Sequence, residues 1–440
     1  MGGAELGMRG ILIGLGRMRT LIISLGRFGY VIIGVHARDV HIIDDQQDTF
    51  RAEHSLLTLF APERINSMMR SLLRIYDWSG RLPMWANIVE TNIMIGTHVD
   101  AVLANTLSRN FTNFNISKAW EAVRKNAFEP PINDTNLLYY DREPYTPAEA
   151  RAGLTAYLHL GYVPADQWAE SASRTLDYAF DDHAAAIVAT YANDTLAATH
   201  LRARSKNYHT LYNLNTTLMQ ARNANGSFTS DPTHGWTEGN AEIYTFAVPH
   251  DPSGLATLLG GPQALKKRLD AYFSSGANDH SNEPSHHSPY LYAAAARSPA
   301  STQNLTRAIA AANYNATAAG LSGNEDLGQM SAWYVFSALG FYPLDPAGEE
   351  YVVGAPFFER VAVVLPAGVA TGGGVGGEEE ERELVICAPG APTKPFVEGL
   401  WVDGRRVEGR PVLRHGEIVR ARRIEFEMSE VPTEWGMEGV

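Results

Sequence analysis

From about Asp44 to Gly340 the chain reads as a succession of helical segments roughly 10–20 residues long, each set off from the next by a polar loop. Few folds accommodate that pattern. The clearest segment is Pro62–Gly80. Pro62 stands at its start, where a missing N–H costs no hydrogen bond. Ile65, Met68, Met69, Leu72, Leu73 and Tyr76 recur at helical spacing, and Gly80 closes the segment. A stripe of this kind is core rather than a cofactor box. Further helical patterns fall at 91–108, 117–127, 147–160, 168–191, 195–204, 262–274, 286–297, 300–314 and 328–340. Loops rich in Pro, Gly, Asn and His lie between them at 129–146, 222–240 and 276–289. The arrangement predicts an α/α toroid with its loops gathered at one mouth.

The texture changes at both ends. Residues 1–43 mix Gly, Ile, Leu and Arg without caps or a clear period, with a strand-like piece at Tyr30–Val35. After residue 345 short β-type runs take over, at Tyr351–Val353, Arg360–Leu365, Glu383–Cys387, Phe396–Val402, Glu417–Arg420 and Arg423–Met428. Asp403-Gly404 is a hairpin-turn signal. The expected organisation is therefore an atypical segment 1–43, a helical barrel over 44–345 and a small antiparallel β domain over 346–440. A flexible, solvated loop is expected at 371–382, Gly-rich and then acidic.

Net charge is −13, from 36 basic and 49 acidic residues. So acidic a surface disfavours phosphate backbones and anionic membranes but suits a neutral ligand such as a sugar. The single cysteine, Cys387, excludes an intramolecular disulfide and a cysteine-based metal site, and leans towards the cytosol. Asn-x-Ser/Thr sequons point to the secretory pathway instead. They occur at Asn110, Asn115, Asn133, Asn193, Asn215, Asn225, Asn304 and Asn315. No signal peptide is visible, and no apolar run reaches the ~18 residues of a membrane span.

Three clusters carry chemistry. In His234-Gly-Trp-Thr-Glu238-Gly-Asn240 a glutamate follows Trp236 in a Gly/Asn loop. An aromatic wall would desolvate the carboxyl and keep it protonated, as a general acid requires; a solvated loop glutamate is the plainer reading. In Ser281-Asn282-Glu283-Pro284-Ser285-His286-His287, the Asn and Glu oxygens suit a hard cation such as Ca²⁺ and the histidines suit sugar hydroxyls or a softer metal. Ser285 could also cap the helix that follows. In Gly323-Asn324-Glu325-Asp326-Leu327-Gly328, two adjacent carboxylates precede an amphipathic helix. They are either dipole-stabilised helix-start acids or a base that activates water. An acid, a base, cation oxygens and the tryptophans Trp236 and Trp333 together make the kit for glycoside hydrolysis.

At these residues the chain resembles glycoside hydrolase family 92, the calcium-dependent, exo-acting α-mannosidases. The matching stretches include DTFRAEHSLLTLFAPERINSMMRSLL, GRLPMWANIVETNIMIGTHVDAVLA, LDYAFDDHAAA, EGNAEIYTFAVPHD, NEPSHHSPYLY and GNEDLGQMSAWYVFSALGFYPLDP, over about 44–440. The resemblance implies an (α/α)₆ barrel and an inverting mechanism, with Ca²⁺ binding the mannose 2- and 3-hydroxyls. It implies terminal α-linked mannose, α-1,2 in the first instance, on N-glycans or mannan. Motif by motif, Glu238 matches the general acid and Asp326 the base. Asn282 and Glu283 fall in the calcium and mannose motif. Asp48, Arg51, Glu90, Trp236, His286, His287 and Trp333 fall among the sugar-binding residues.

Departures accompany the match. Gln47 stands where the family usually has tryptophan, Glu242-Ile243 replaces a pair such as Trp-Gln, and Asn324 replaces an aspartate found in many members. The family's N-terminal β-sandwich has no counterpart in residues 1–43, so the expectation is a truncated or misassembled N-terminus. A non-catalytic relic that binds mannosides is the second reading. Another calcium-dependent α/α-barrel glycosidase is the third, disfavoured by the spelling and order of the motifs.

Overall fold

The computed structural model describes residues 20–25, 29–34, 46–87, 89–91, 94–135, 150–372 and 381–438. Among them the longest helix, Ser171–Tyr191, is buried on almost every side. Ala172, Leu176, Phe180, Ala184 and Val188 lie in the core, but so do Ser173, Arg174, Asp181 and Asp182. A helix buried nearly all round must be surrounded by others. Val99–Ser108, Ile116–Phe128 and Thr195–Arg204 pack against it. The ring continues through Pro252–Leu258, Pro262–Ser274, Leu291–Ala295, Pro299–Asn313 and Gln329–Leu339. Gln329–Leu339 then packs against Glu53–Phe60, so the last helix returns to the first and the toroid closes.

Local chemistry sets the helix ends. Pro62 opens Pro62–Ser79, and Gly80 closes it at φ 78°, a left-handed backbone that glycine adopts without strain. Asn115, Asp194 and Asp251 cap the helices that follow them by accepting from the amides of Lys118, Ala197 and Gly254.

Several expected boundaries shift. The helix foreseen from 91 starts only at Val99, while Val89–Thr91 is a strand paired with Trp85–Asn87. Gly96 stands at φ 80°, and a Cβ there would sit 2.5 Å from the His98 ring, so no helix runs through it. The segment 286–297 divides into a 3-10 turn, Ser288–Tyr290, and a short helix, Leu291–Ala295, because Pro289 offers no N–H. The short helices Glu53–Phe60 and Pro252–Leu258 escape a periodicity reading.

The buried polar residues of the central helix form a network. Arg151 bridges Asp182 at 2.7 Å and Asp100 at 3.1 Å, and Arg204 and Tyr157 also reach Asp182. On the same helix Asp181 accepts from His98 at 3.0 Å and from the amide of Thr97 at 2.7 Å. Charges this deep persist only where each has a partner.

Among the described residues the β domain holds two sheets. One runs, in spatial order, Arg405–Arg406, Phe396–Val402, Arg423–Ser429, Arg382–Cys387 and Arg360–Leu365; the other runs Val412–Arg414, Glu350–Val353 and Phe341–Tyr342. Pairing is antiparallel except between Arg382–Cys387 and Arg423–Ser429, which run parallel. The Asp403-Gly404 turn joins its two strands with both residues at positive φ, 47° and 78°. The run Glu417–Arg420, expected as a strand, instead overlaps the helical turn His415–Ile418, where Glu417 reaches back to the Arg414 amide at 3.1 Å. Gln303 of the toroid accepts from the Val397 amide at 3.1 Å and ties the domains together. Within 1–43 the paired strands Thr20–Leu25 and Gly29–Gly34 are described. The rest of that segment, and 373–380 of the expected loop, lie outside the described residues.

Burial alone would push His98 down, but Asp181 and Asp177 together raise it to about 9. A folded-state value above the unfolded one means that this stabilisation is complete below the ordinary 6.5 and lost as pH rises through about 9. Thermal melts across that window should show stability falling by up to about 3 kcal/mol. His98→Gln should melt lower at pH 6 and flatten the slope; an unchanged slope would remove His98 from this role.

Candidate active site

Three loops converge where the toroid closes. The first carries Glu238. It is pinned to the start of the helix Ser171–Tyr191, where the amides of Ala172 and Ser173 donate to the Gly235 carbonyl at 3.0 and 3.1 Å. First-turn amides have no partner inside their own helix, so they are free to hold a loop. Ser173 Oγ accepts from the Thr237 amide at 3.0 Å, and the Tyr244 hydroxyl donates to the Thr237 carbonyl at 2.7 Å. Asn240 then caps the short helix Ala241–Tyr244. Glu238, held between these anchors at φ 46°, is exposed. Trp236 does not wall it in. That ring stacks on Tyr244 at 5.3 Å, and its indole N–H donates to the Pro232 carbonyl. The desolvation expected from the Trp-Glu spacing is therefore not provided by this chain.

The second loop carries Asn282 and Glu283. The Asn282 amide nitrogen donates to Glu238, to Oε2 at 3.2 Å and to the carbonyl at 3.3 Å. Expected beside the cation, this side chain is instead tied to the acid candidate. Glu283 is buried and points the other way. Its carboxylate groups with those of Asp48 and Asp326, one oxygen from each lying within 4.8 Å of the others. Burial first, then Asp48 and Asp326, push Glu283 up to about 9, and its Oε1 has no hydrogen-bond partner among the described residues. Three carboxylates this close repel unless protons or a cation neutralise them. Hard oxygen donors around an unpartnered buried oxygen fit a cation of the calcium type. This acidic cluster could hold a metal.

The third loop carries Asp326. Asp326, Leu327 and Gly328 stand consecutively at φ 50°, 52° and 108°. For a leucine the left-handed region costs about 1–2 kcal/mol, so the surroundings must impose it. They do. A Cβ on Gly328 would lie 2.7 Å from the Glu53 carboxyl carbon, and a Cβ on Gly323 would lie 2.2 Å from the Ser281 carbonyl, which packs the third loop hard against the second.

One hydrogen-bond chain runs behind all three. The Ala52 amide donates to Gln329 Oε1 at 2.8 Å, and Gln329 Nε2 donates to His286 Nδ1 at 3.2 Å. His286 Nε2 in turn donates to the His280 carbonyl at 3.2 Å, and Trp333 Nε1 to the His286 carbonyl at 2.9 Å. His287 donates to the Phe246 carbonyl at 2.7 Å.

The sequence profile of the glycosyl hydrolase family 92 catalytic domain matches residues 37–430. The chain belongs to glycosyl hydrolase family 92. An uncharacterized secreted glycosidase of Arthroderma benhamiae is 29% identical over 336 residues, which is 67% of this chain and 41% of that protein. A family 92 inverting mannosidase of Bacteroides thetaiotaomicron superposes with a TM-score of 0.79 at 27% identity, covering 97% of this chain and 58% of that one. A second family 92 α-mannosidase of that organism, solved in complex with mannoimidazole, gives 0.75 at 30% identity, covering 88% and 51%. The chain thus spans about half the length of the relatives it matches.

Of the residues singled out in the sequence, Asp48, Glu283 and Asp326 come together, and Glu238 and Asn282 touch beside them. Arg51 lies over the Phe50 ring at 4.7 Å, with its charge bearing on Glu283. His286, His287 and Trp333 are buried in the hydrogen bonds just described and sit behind the site. Both His286 ring nitrogens are engaged, which leaves neither for a sugar hydroxyl. Glu90 lies on the strand Val89–Thr91, and its side chain, like that of Gln47, is outside the described residues. Two residues escaped notice. Gln329 shows in sequence as a polar side chain opening an apolar helix. Glu53 gave no signal beyond its charge; it is buried against Gly328, and burial and then Glu325 push it up to about 8.

Gln329→Leu keeps the volume but strands the Ala52 amide and His286 Nδ1. Two buried unpaired groups should cost about 2–4 kcal/mol, read as a drop of several degrees in Tm. A variant melting with the wild type would show that the chain is not a structural hub.

Proposed function

We propose that this protein is an α-mannosidase that removes terminal α-linked mannose, α-1,2 first, from N-glycans or mannan with inversion, and that it works in the secretory pathway or outside the cell. The observation that carries the reading is the pairing of a solvent-facing carboxylate, Glu238, with a carboxylate cluster one residue beyond its amide partner. Asn282 touches Glu238, and Glu283, the next residue, belongs to the cluster with Asp326. An inverting glycosidase needs two carboxyl groups set apart by the sugar ring and a water. The solved family 92 mannosidases, one of them in complex with mannoimidazole, support the substrate, and the secreted glycosidase supports the compartment.

In the reaction Glu238 donates its proton to the glycosidic oxygen as the bond to the anomeric carbon breaks. Asp326 takes a proton from the water that attacks that carbon from the opposite face. Asp326 is half-buried, whereas Asp48 and Glu283 are buried. This division suits the inner pair to hold calcium and leaves Asp326 reachable by water. Calcium, when bound there, supplies a hard cation that engages the sugar hydroxyls and favours a distorted ring. Arg51 orients the carboxylates from the Phe50 side, and the hydrogen-bond chain behind fixes the loops in register.

Glu238→Gln should lower kcat by about 10²–10⁴-fold on a mannoside with a poor leaving group, and far less on an activated aryl mannoside. Equal losses on both would deny Glu238 the acid role. Asp326→Asn should lose activity on both. Chelation with EGTA should abolish turnover and added calcium should restore it; full activity in chelator would remove the cation from the scheme. The second reading, a relic that binds without cutting, draws on the exposure of Glu238. Mannoside binding by calorimetry, with no product released in calcium, would favour it.

A further inference from the structure

Asparagines in this chain divide by environment. Asn66, Asn105, Asn126 and Asn213 are buried, and none begins a sequon. The sequon asparagines at 110, 115, 133, 193, 215, 225, 304 and 315 are all exposed. The asparagines at the mouth of the site, Asn240, Asn282 and Asn324, begin no sequon. A bulky attachment at any sequon would therefore meet solvent and spare the active site.

A second observation singles out three of them. Exposed large apolar side chains are few, and singly they need no explanation. Among the described residues four of the nine, Ile132, Tyr191, Leu196 and Leu214, lie beside sequons. Ile132, 87% exposed, precedes Asn133, and Leu214, 80% exposed, precedes Asn215. Tyr191, 42% exposed, and Leu196, 82% exposed, flank Asn193 at −2 and +3. Backbone geometry presents these asparagines outward. Asn133 and Asn193 stand at φ 63° and 64°, and Asn215 lies in the turn between the strands Tyr212–Asn213 and Leu218–Met219. The +2 residues Thr135, Thr195 and Thr217 are exposed as well.

We propose that Asn133, Asn193 and Asn215 carry N-linked glycans whose first sugars lie over the neighbouring apolar side chains and keep them from water. The apolar face of a pyranose packs on an aromatic or aliphatic side chain, and the glycan's hydroxyls then present a wetted surface in its place. The chemistry is amide glycosylation. The Asn Nδ2 bonds to the anomeric carbon of a lipid diphosphate-linked oligosaccharide, the bond from that carbon to the diphosphate oxygen breaks, and the amide proton leaves with the lipid diphosphate. The proposal rests on the secretory-pathway reading above and is independent of the mannosidase reading.

The test uses the full chain secreted from a eukaryotic host behind a heterologous leader. Glycopeptide mapping, with enzymatic glycan release in heavy-oxygen water, marks each modified asparagine as labelled aspartate in secreted and cell-retained chain alike. The expected result is majority occupancy at 133, 193 and 215. Bare asparagines at these positions would overturn the proposal. Enzymatic deglycosylation of the folded protein should then raise binding of a hydrophobic dye several-fold. The combined variant Ile132→Ser, Tyr191→Ser, Leu196→Ser, Leu214→Ser should abolish that rise while leaving occupancy intact. A dye signal that ignores either treatment would overturn the covering role. Bare asparagines in chain from its native source, with modification of the leader-directed chain, would sink the secretory reading instead.

Discussion

The bond between Gln329 and His286 is where the geometry of the site begins. It joins the first residue of the last toroid helix to the loop that carries Glu283, and through Gln329 Oε1 it also holds the Ala52 amide, four residues from Asp48. Three segments far apart in sequence thus share one buried side chain. An amide is suited to this post because it donates and accepts at once; a carboxylate or an aliphatic chain of the same size would satisfy one partner or neither. Trp333 seals the arrangement by donating to the His286 carbonyl while its ring stacks on Tyr314 at 5.7 Å. The acidic cluster stands beside this frame, in which Gln329 and both ring nitrogens of His286 are engaged.

Electrostatics divides the toroid into two regimes. Deep in the ring, around Ser171–Tyr191, opposite charges are matched: Arg151 and Arg204 with Asp182, Arg151 with Asp100, His98 with Asp181. At the mouth like charges are crowded: Asp48, Glu283 and Asp326 stand together, with Glu53 and Glu325 close behind. The first regime holds the fold, and the second is tolerable only if something neutralises it. Burial alone does not draw this line, since Asp48 and Glu283 are buried as the inner pairs are, while Asp326 is only half-buried.

The alternation of helix and polar loop was legible as a toroid because periodicity survives in any long amphipathic segment, as in Pro62–Ser79 and Pro299–Asn313. It failed where local sterics prevailed, at Gly96 and Pro289, and where a helix spans barely two turns, as in Glu53–Phe60. The site was legible in its carboxylates, since Glu238, Glu283 and Asp326 are marked by loop composition. Direction was not legible. Sequence cannot say that Asn282 turns towards Glu238 while Glu283, next to it, turns towards the cluster. Nor can it tell a histidine facing a ligand from one facing a carbonyl: His286 reads as a sugar contact while both its ring nitrogens are engaged within the fold, and His287 donates to the Phe246 carbonyl.

That opposed pair has a consequence for how such a protein can diverge. Asn282 and Glu283 occupy one peptide step, about 3.8 Å of chain, between the Glu238 carboxylate and the carboxylate cluster. No insertion or shift there moves Asn282 without moving Glu283, so a covalent ruler joins the partner of Glu238 to one member of the cluster. The ruler itself is wedged, since the Ser281 carbonyl leaves no room for a side chain at Gly323. Loop length can drift only outside it, in the stretches that lead to the mouth. Descendants of this fold would therefore be free to reshape the approach to the cluster long before they could separate Asn282 from Glu283.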